Sequence, residues 1–336
     1  MITPSPPSRL SDAVPDWRAA WRDAITDAGE LLQLLDLPAL QARLPQGDAG
    51  FALRVPRGFV ARMRKGDPRD PLLLQVLPQL AELDAHPGFV ADAVGDQAAR
   101  AAHGVLHKYQ GRALLIASGT CAVNCRYCFR RHFPYAEDIA AARHWQESVD
   151  YVRNHADIEE LILSGGDPLA LSTTKLAELT AALADVPHLA RLRIHSRLPV
   201  VLPERIDAEF THWLGALPLA KVVVIHANHA NEIDAGVIAA CARLRDAGAM
   251  LLNQSVLLAG VNDDVDVLAE LSRRLLAAGV LPYYLHQLDR VSGTAHFEVP
   301  DARARMLVDK LATRVSGYLV PRLVREIPGA AGKTPL

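Results

Sequence analysis

The chain has 336 residues, half of them apolar and 22% charged, with a formal net charge of −2. That length can bury a large core, and the near-neutral balance excludes the basic stripe of a nucleic-acid-binding domain. No stretch approaches the roughly 18 apolar residues of a membrane-spanning helix, and Met1 to Leu10 lacks the apolar stretch of a secretory signal.

Residues 1–110 read as a helical but irregular cover region. Trp17 and Trp21 stand four apart, and Leu31, Leu34 and Leu35 continue an apolar face that Pro38 ends. Pro56, Gly58, Gly66, Pro68, Pro71 and Pro78 then punctuate short helices folded over another surface. The basic run Arg62 to Lys65 reads as solvated surface. From residue 111 to 320 the pattern becomes strand and helix in alternation. Strands are predicted at Ala113–Ala117, Glu160–Leu163, Arg191–His195, Lys221–Ile225, Met250–Ser255 and Pro282–Gln287. Helices are predicted near Ala142–Asn154, Ser172–Ala184, Pro203–Leu214, Ile233–Ala247 and Val265–Ala278, with Gly248 and Gly279 at C-cap positions. Such alternation implies an α/β fold with a parallel sheet. The count falls short of eight, so an open, six-stranded partial TIM-like barrel is expected. Its chemistry then gathers at the strand C-terminal ends. That rule selects Cys121–Cys128, Ser164–Asp167, His195–Arg197, His226–His229, Gln254 and Asp289. The last stretch, 321–336, is a glycine-containing segment that carries Lys333.

The four cysteines divide into Cys241, within an apolar helical stretch, and the trio Cys121, Cys125 and Cys128, spaced C-x3-C-x2-C. This is no disulfide framework, and it fits a reducing cytoplasm. Zinc, with His132 as a fourth ligand, is one reading of the trio, although structural zinc usually takes paired cysteines across a longer spacer. A cubane iron–sulfur cluster with one open iron is the other, and the position after the first barrel strand favours it.

The spacing resembles that of the radical S-adenosylmethionine (SAM) enzymes, and the blocks after it resemble the lysine 2,3-aminomutase family. Those blocks are Cys125 to Arg131, Ser164 to Leu169, Asn253 to Leu258 with Gly260 to Asp263, Tyr283 and Tyr284 with Gly293, His296 and Phe297, and Pro328 to Pro335, preceded by the lead-in His107 to Arg112. The resemblance implies an isomerase with a radical SAM barrel, a [4Fe-4S] cluster on Cys121, Cys125 and Cys128, SAM, and pyridoxal 5'-phosphate (PLP) bonded to Lys333. It places Tyr127 near the adenine, Ser164, Gly165, Gly166 and Asp167 around the methionine amino group, and His226 and Gln254 in contact with SAM. Arg112 falls beside the PLP ring and phosphate, and Arg130 where the substrate carboxylate is paired. Asp289 and Glu326 fall where acids receive the lysine side-chain ammonium, Glu326 replacing the family's usual aspartate. Alanines at 330 and 331 stand where the family has mostly glycines.

The chain stops three residues after Lys333, whereas the catabolic enzymes of the family continue into a segment that carries zinc ligands. It thus resembles the short branch that makes (R)-β-lysine for elongation factor P, ahead of a ligase related to lysyl-tRNA synthetases. An electron donor such as flavodoxin or ferredoxin is implied. A catabolic free-lysine aminomutase and, in another class, a non-catalytic iron–sulfur or zinc module are the alternatives.

Overall fold

The computed structural model describes residues 16–45, 51–135, 139–140 and 145–336. The six apolar runs expected as strands all pair with their neighbours. They are β3 (Arg112–Ser118), β4 (Glu160–Gly165), β5 (Arg191–Ser196), β6 (Ala220–Ile225), β7 (Met250–Val256) and β8 (Leu281–His286). Each lies parallel to the next, as apolar runs joined by helices must. Four strands escaped the sequence reading. β1 (Arg100–Ala102) pairs antiparallel with β2 (Val105–Tyr109), which pairs antiparallel with β3, while β9 (Arg322–Arg325) continues the parallel series. β10 (Thr334–Pro335) then turns back antiparallel on β9. The order β1 to β10 is sequential, so the barrel is open.

The connecting helices start where the sequence supplies caps. Ser172, Asp207, Asp234 and Asp264 each accept a main-chain N–H in the first turn of the helix that follows. Gly248 and Gly279 end two of those helices in left-handed backbone, φ 83° and 73°. The expected helix near 142–154 spans Gln146–Asn154, and residues 142–144 lie outside the described residues, as does the stretch Met1 to Leu10. Among the described residues no helix is long and apolar enough to cross a membrane.

The short helices of the first hundred residues share one apolar core with the barrel. Trp17, Leu31, Phe59 and Leu72 pack into the cluster that holds Leu115, Leu161 and Phe210. The stretch Arg62 to Lys65 is not simply solvated surface, because the Arg62 side chain is only 8% exposed. It donates from Nη2 to Val200 O (2.8 Å) and from Nη1 to Glu232 O, linking the cover to the barrel.

Candidate active site

A cavity of about 640 Å³ opens at the C-terminal ends of the parallel strands, a size usual for small-molecule sites. Every residue that the family resemblance assigns to a cofactor, the cluster or the substrate lines it. Cys121, Cys125, Tyr127, Cys128 and Arg130 come from the loop after β3, and Ser164 to Asp167 from the end of β4. His226 follows β6, Gln254 lies in β7, Asp289 follows β8 and Glu326 follows β9; Arg112 opens β3. Lys333 immediately precedes β10, so the Thr334–Arg325 and Pro335–Val324 pairs fix a segment that a free tail would leave mobile. Its Nζ donates to Glu326 Oε2.

That contact ends a chain of buried and half-buried charges that alternate in sign. Lys108 Nζ donates to the other oxygen of Glu326 at 3.1 Å and to Val94 O at 2.8 Å. It also stands 2.5 Å from Asp96 Oδ1, off the line of a good hydrogen bond. Asp96 Oδ2 accepts from Arg130 Nε at 2.6 Å, and Arg130 Nη1 donates to Ser164 Oγ at 2.9 Å. Arg130, Asp96, Lys108, Glu326 and Lys333 therefore run across the cavity as plus, minus, plus, minus, plus. Asp96 and Lys108 were missed as functional residues. Lys108 sits within a matched block, yet Asp96 follows Val94 and Gly95 in a stretch without periodicity, where no sequence signal could single it out.

The two acids near Lys333 differ in environment. Burial pushes the Asp289 carboxyl up to about 7, against the opposing pull of Lys333. Burial also raises Glu326, but Lys333 and Lys108 outweigh it and bring the carboxylate down to about 2. His226 is driven down to about 3 by burial and by Arg197, so its imidazole is neutral. Gln254 Nε2 donates to its Nε2 at 2.9 Å.

At the cysteine loop, Arg197 Nη1 donates to Cys125 Sγ (2.6 Å), and Arg197 Nη2 to Gln75 Oε1 (2.7 Å) and Glu232 Oε2 (3.1 Å). Tyr127 OH accepts from Asn228 Nδ2 at 2.7 Å. Burial raises the Cys128 thiol to about 11. The donor set suits a cluster rather than a lone ion. Among the described residues no three His, Cys, Asp or Glu side chains could hold a single metal, and His132 is bonded to Ser292 O. A cubane uses three separate irons and tolerates thiolates set wider apart.

The turn after β4 is pressed against this loop. Gly165 has φ 120°, and a Cβ there would meet Ser118 O at 2.4 Å; one at Gly166 would meet Thr120 O at 2.6 Å. Only glycines let this backbone line the cavity beside the cysteines, a fit for a ligand held by main-chain groups. Asp167, raised by burial to about 6, is engaged by the protein itself. Its carboxylate accepts from Ser196 Oγ (2.7 Å) and from the N–H groups of Arg197 (2.7 Å), Leu169 (3.0 Å) and Leu198 (3.2 Å).

At the other side, Arg112 packs over the Tyr109 ring (4.6 Å), and Tyr283 OH donates to Tyr284 OH at 3.0 Å. His195 Nε2 and His286 Nε2 are buried there without a hydrogen-bond partner among the described residues. Polar atoms left so in a lined cavity suit a polar ligand such as PLP. His229, by contrast, caps a turn by accepting from Asn231 N, and Cys241 is fully buried away from the cavity.

Residues 110–187 match a family model described as a 4Fe-4S single cluster domain. The chain is similar to the L-lysine 2,3-aminomutase of Escherichia coli (strain K12), 50% identical over 338 residues, covering 100% of this chain and 97% of that protein. It is 47% identical to the enzyme of the same name from Haemophilus influenzae, covering 95% of each chain. With the L-lysine 2,3-aminomutase of Clostridium subterminale it shares 35% identity, covering 96% of this chain and 77% of that protein.

Proposed function

This chain belongs to the L-lysine 2,3-aminomutase family of radical SAM enzymes, and from that premise we propose that it isomerises L-lysine, (S)-α-lysine, to (R)-β-lysine with PLP carried on Lys333. The observation that carries this reading is that Lys333 and the three cysteines, far apart in sequence, line one cavity. When bound, the cluster with SAM supplies a carbon radical able to remove an unactivated hydrogen, and PLP supplies a carbon that can hold the amino nitrogen as it changes neighbours.

The chain's own residues align the substrate. Arg130 pairs with the α-carboxylate through its planar guanidinium, which Asp96 and Ser164 hold in place. Asp289 and Glu326 receive the far ammonium, which favours lysine over an acidic amino acid. Glu326 serves twice, because Oε2 holds Lys333 Nζ until that nitrogen is engaged elsewhere and is then free for the substrate. Lys108 keeps Glu326 ionised in both situations. Arg112 takes the PLP phosphate, while Tyr127, Gln254, neutral His226 and the main chain at Gly165 and Gly166 hold SAM. The apolar walls Leu106, Ile162 and Val256 exclude water.

Borohydride reduction of the PLP-loaded protein followed by peptide mapping tests the cofactor assignment. The label is expected on Lys333 and absent in Lys333→Ala; a label elsewhere contradicts it. The product's destination is elongation factor P, within the cytoplasm, ahead of a lysyl-tRNA-synthetase-like ligase and with a flavodoxin or ferredoxin as electron donor. What supports this is the resemblance of the sequence to that branch. Deleting the gene should remove the lysyl-type mass increment from elongation factor P, and an unchanged mass refutes the destination.

A further inference from the structure

The short turn Leu80–Leu83 in the cover inverts the usual partition of side chains. It leaves Leu80 and Leu83 51% and 59% exposed and buries Glu82. The buried carboxylate meets two arginines of the cysteine loop. Arg126 Nε donates to Oε1 at 2.8 Å and its Nη2 donates to Oε2, which also accepts from Arg131 Nη2 at 2.8 Å. Arg126 is fully buried and lies between Cys125 and Cys128; Arg131 follows Cys128 by three residues. Taking three charges out of water is costly, and apolar side chains would pack the same space at no such cost. A cover with no task at the loop has no use for this arrangement.

Neighbouring contacts point the same way. Between the cysteines, Asn124 N donates to Arg54 O (2.9 Å) and Arg126 N to Gln75 O (2.9 Å), while Arg126 Nη1 donates to Phe51 O (2.7 Å). Residues 51–82 thus bond the segments that separate the cysteines, and the only carboxylate among these contacts is Glu82.

We propose that Glu82 is a positioning residue for the cluster loop: it fixes the backs of Arg126 and Arg131 so that the cysteines converge, and it tempers the positive charge those arginines place behind the cluster. The inference rests on the iron–sulfur reading above. Reduction adds an electron to the cluster, so surrounding positive charge raises its potential and negative charge lowers it.

The test uses the full chain, reconstituted anaerobically with iron and sulfide, as wild type, Glu82→Gln, Glu82→Asp and Arg131→Gln. Bound iron and sulfide are counted, and the potential is followed by EPR-monitored redox titration. Glu82→Gln should move the potential positive, Arg131→Gln should move it negative, and Glu82→Asp should restore most of the wild-type value. Opposite shifts from two neutral substitutions at one contact are not what general loosening of the fold produces. Clusters that assemble normally in all three variants with potentials unchanged, or shifted in the same direction by both glutamine variants, overturn the proposal. A wild-type chain that takes up no iron and sulfide overturns the iron–sulfur reading and this inference with it.

Discussion

Asp289 and Glu326 line one cavity, but the carboxyl of Asp289 titrates near 7 and that of Glu326 near 2. The cause is local: two lysines face Glu326, while burial dominates at Asp289. An incoming ammonium is bound by Asp289 only in its charged form, which is lost as pH falls through about 7. The specificity constant kcat/KM for L-lysine should therefore fall on the acid side of neutrality, and Asp289→Asn should flatten that limb. Charged hydrogen bonds contribute about 1.5–3 kcal/mol, so KM in that variant should rise about 10- to 100-fold. Steady-state kinetics across pH checks this; an unchanged acid limb rejects the assignment. Lys108 belongs to the same scale. Lys108→Met removes a cation that both Asp96 and Glu326 face, and KM should rise about tenfold, by the same arithmetic, with Lys108→Arg restoring most of the loss. These residues were only partly legible. Motif blocks pointed to Asp289, Glu326 and Lys333, but the lysine and aspartate that join them to Arg130 come from β2 and an aperiodic loop, which meet only in the fold.

At the scale of elements, the feature that matters most for the tail is the β9–β10 pair. Strands of four and two residues carry no period a sequence reading can detect. Yet this pairing turns an apparently free tail into a fixed arm that presents Lys333 to the cavity. Removing residues 334–336 should lower PLP incorporation while leaving iron and sulfide content unchanged. Absorbance of bound PLP against the iron count is the measurement, and equal PLP occupancy contradicts the account. The six longer parallel strands and the helices after them were legible because apolar runs alternate with helical stretches, two of them closed by glycine, along residues 112–286. The turn Leu80–Leu83 was not, since it exposes leucine and buries glutamate for the sake of partners elsewhere in the chain.

At the scale of the whole molecule, cover and barrel are one packed body. Phe59 is fully buried and lies beneath Arg62 (5.1 Å) and Arg197 (5.5 Å), between the first hundred residues and the strand ends. Phe59→Ala should cost about 3–5 kcal/mol, seen as a lower denaturant midpoint in the apo-protein. The cover's place was not legible because its short helices, broken by prolines and glycines, bury their apolar faces in a core shared with the barrel. The account's central claim is that this one cavity brings a radical-generating loop and a PLP lysine to bear on L-lysine. Anaerobic reconstitution with iron, sulfide, PLP and SAM, followed by chiral analysis of the product from L-lysine, tests it most directly. The account predicts (R)-β-lysine from the wild type and none from Lys333→Ala or Cys125→Ala. No β-lysine from a fully loaded wild type, or undiminished product from Lys333→Ala, would contradict it.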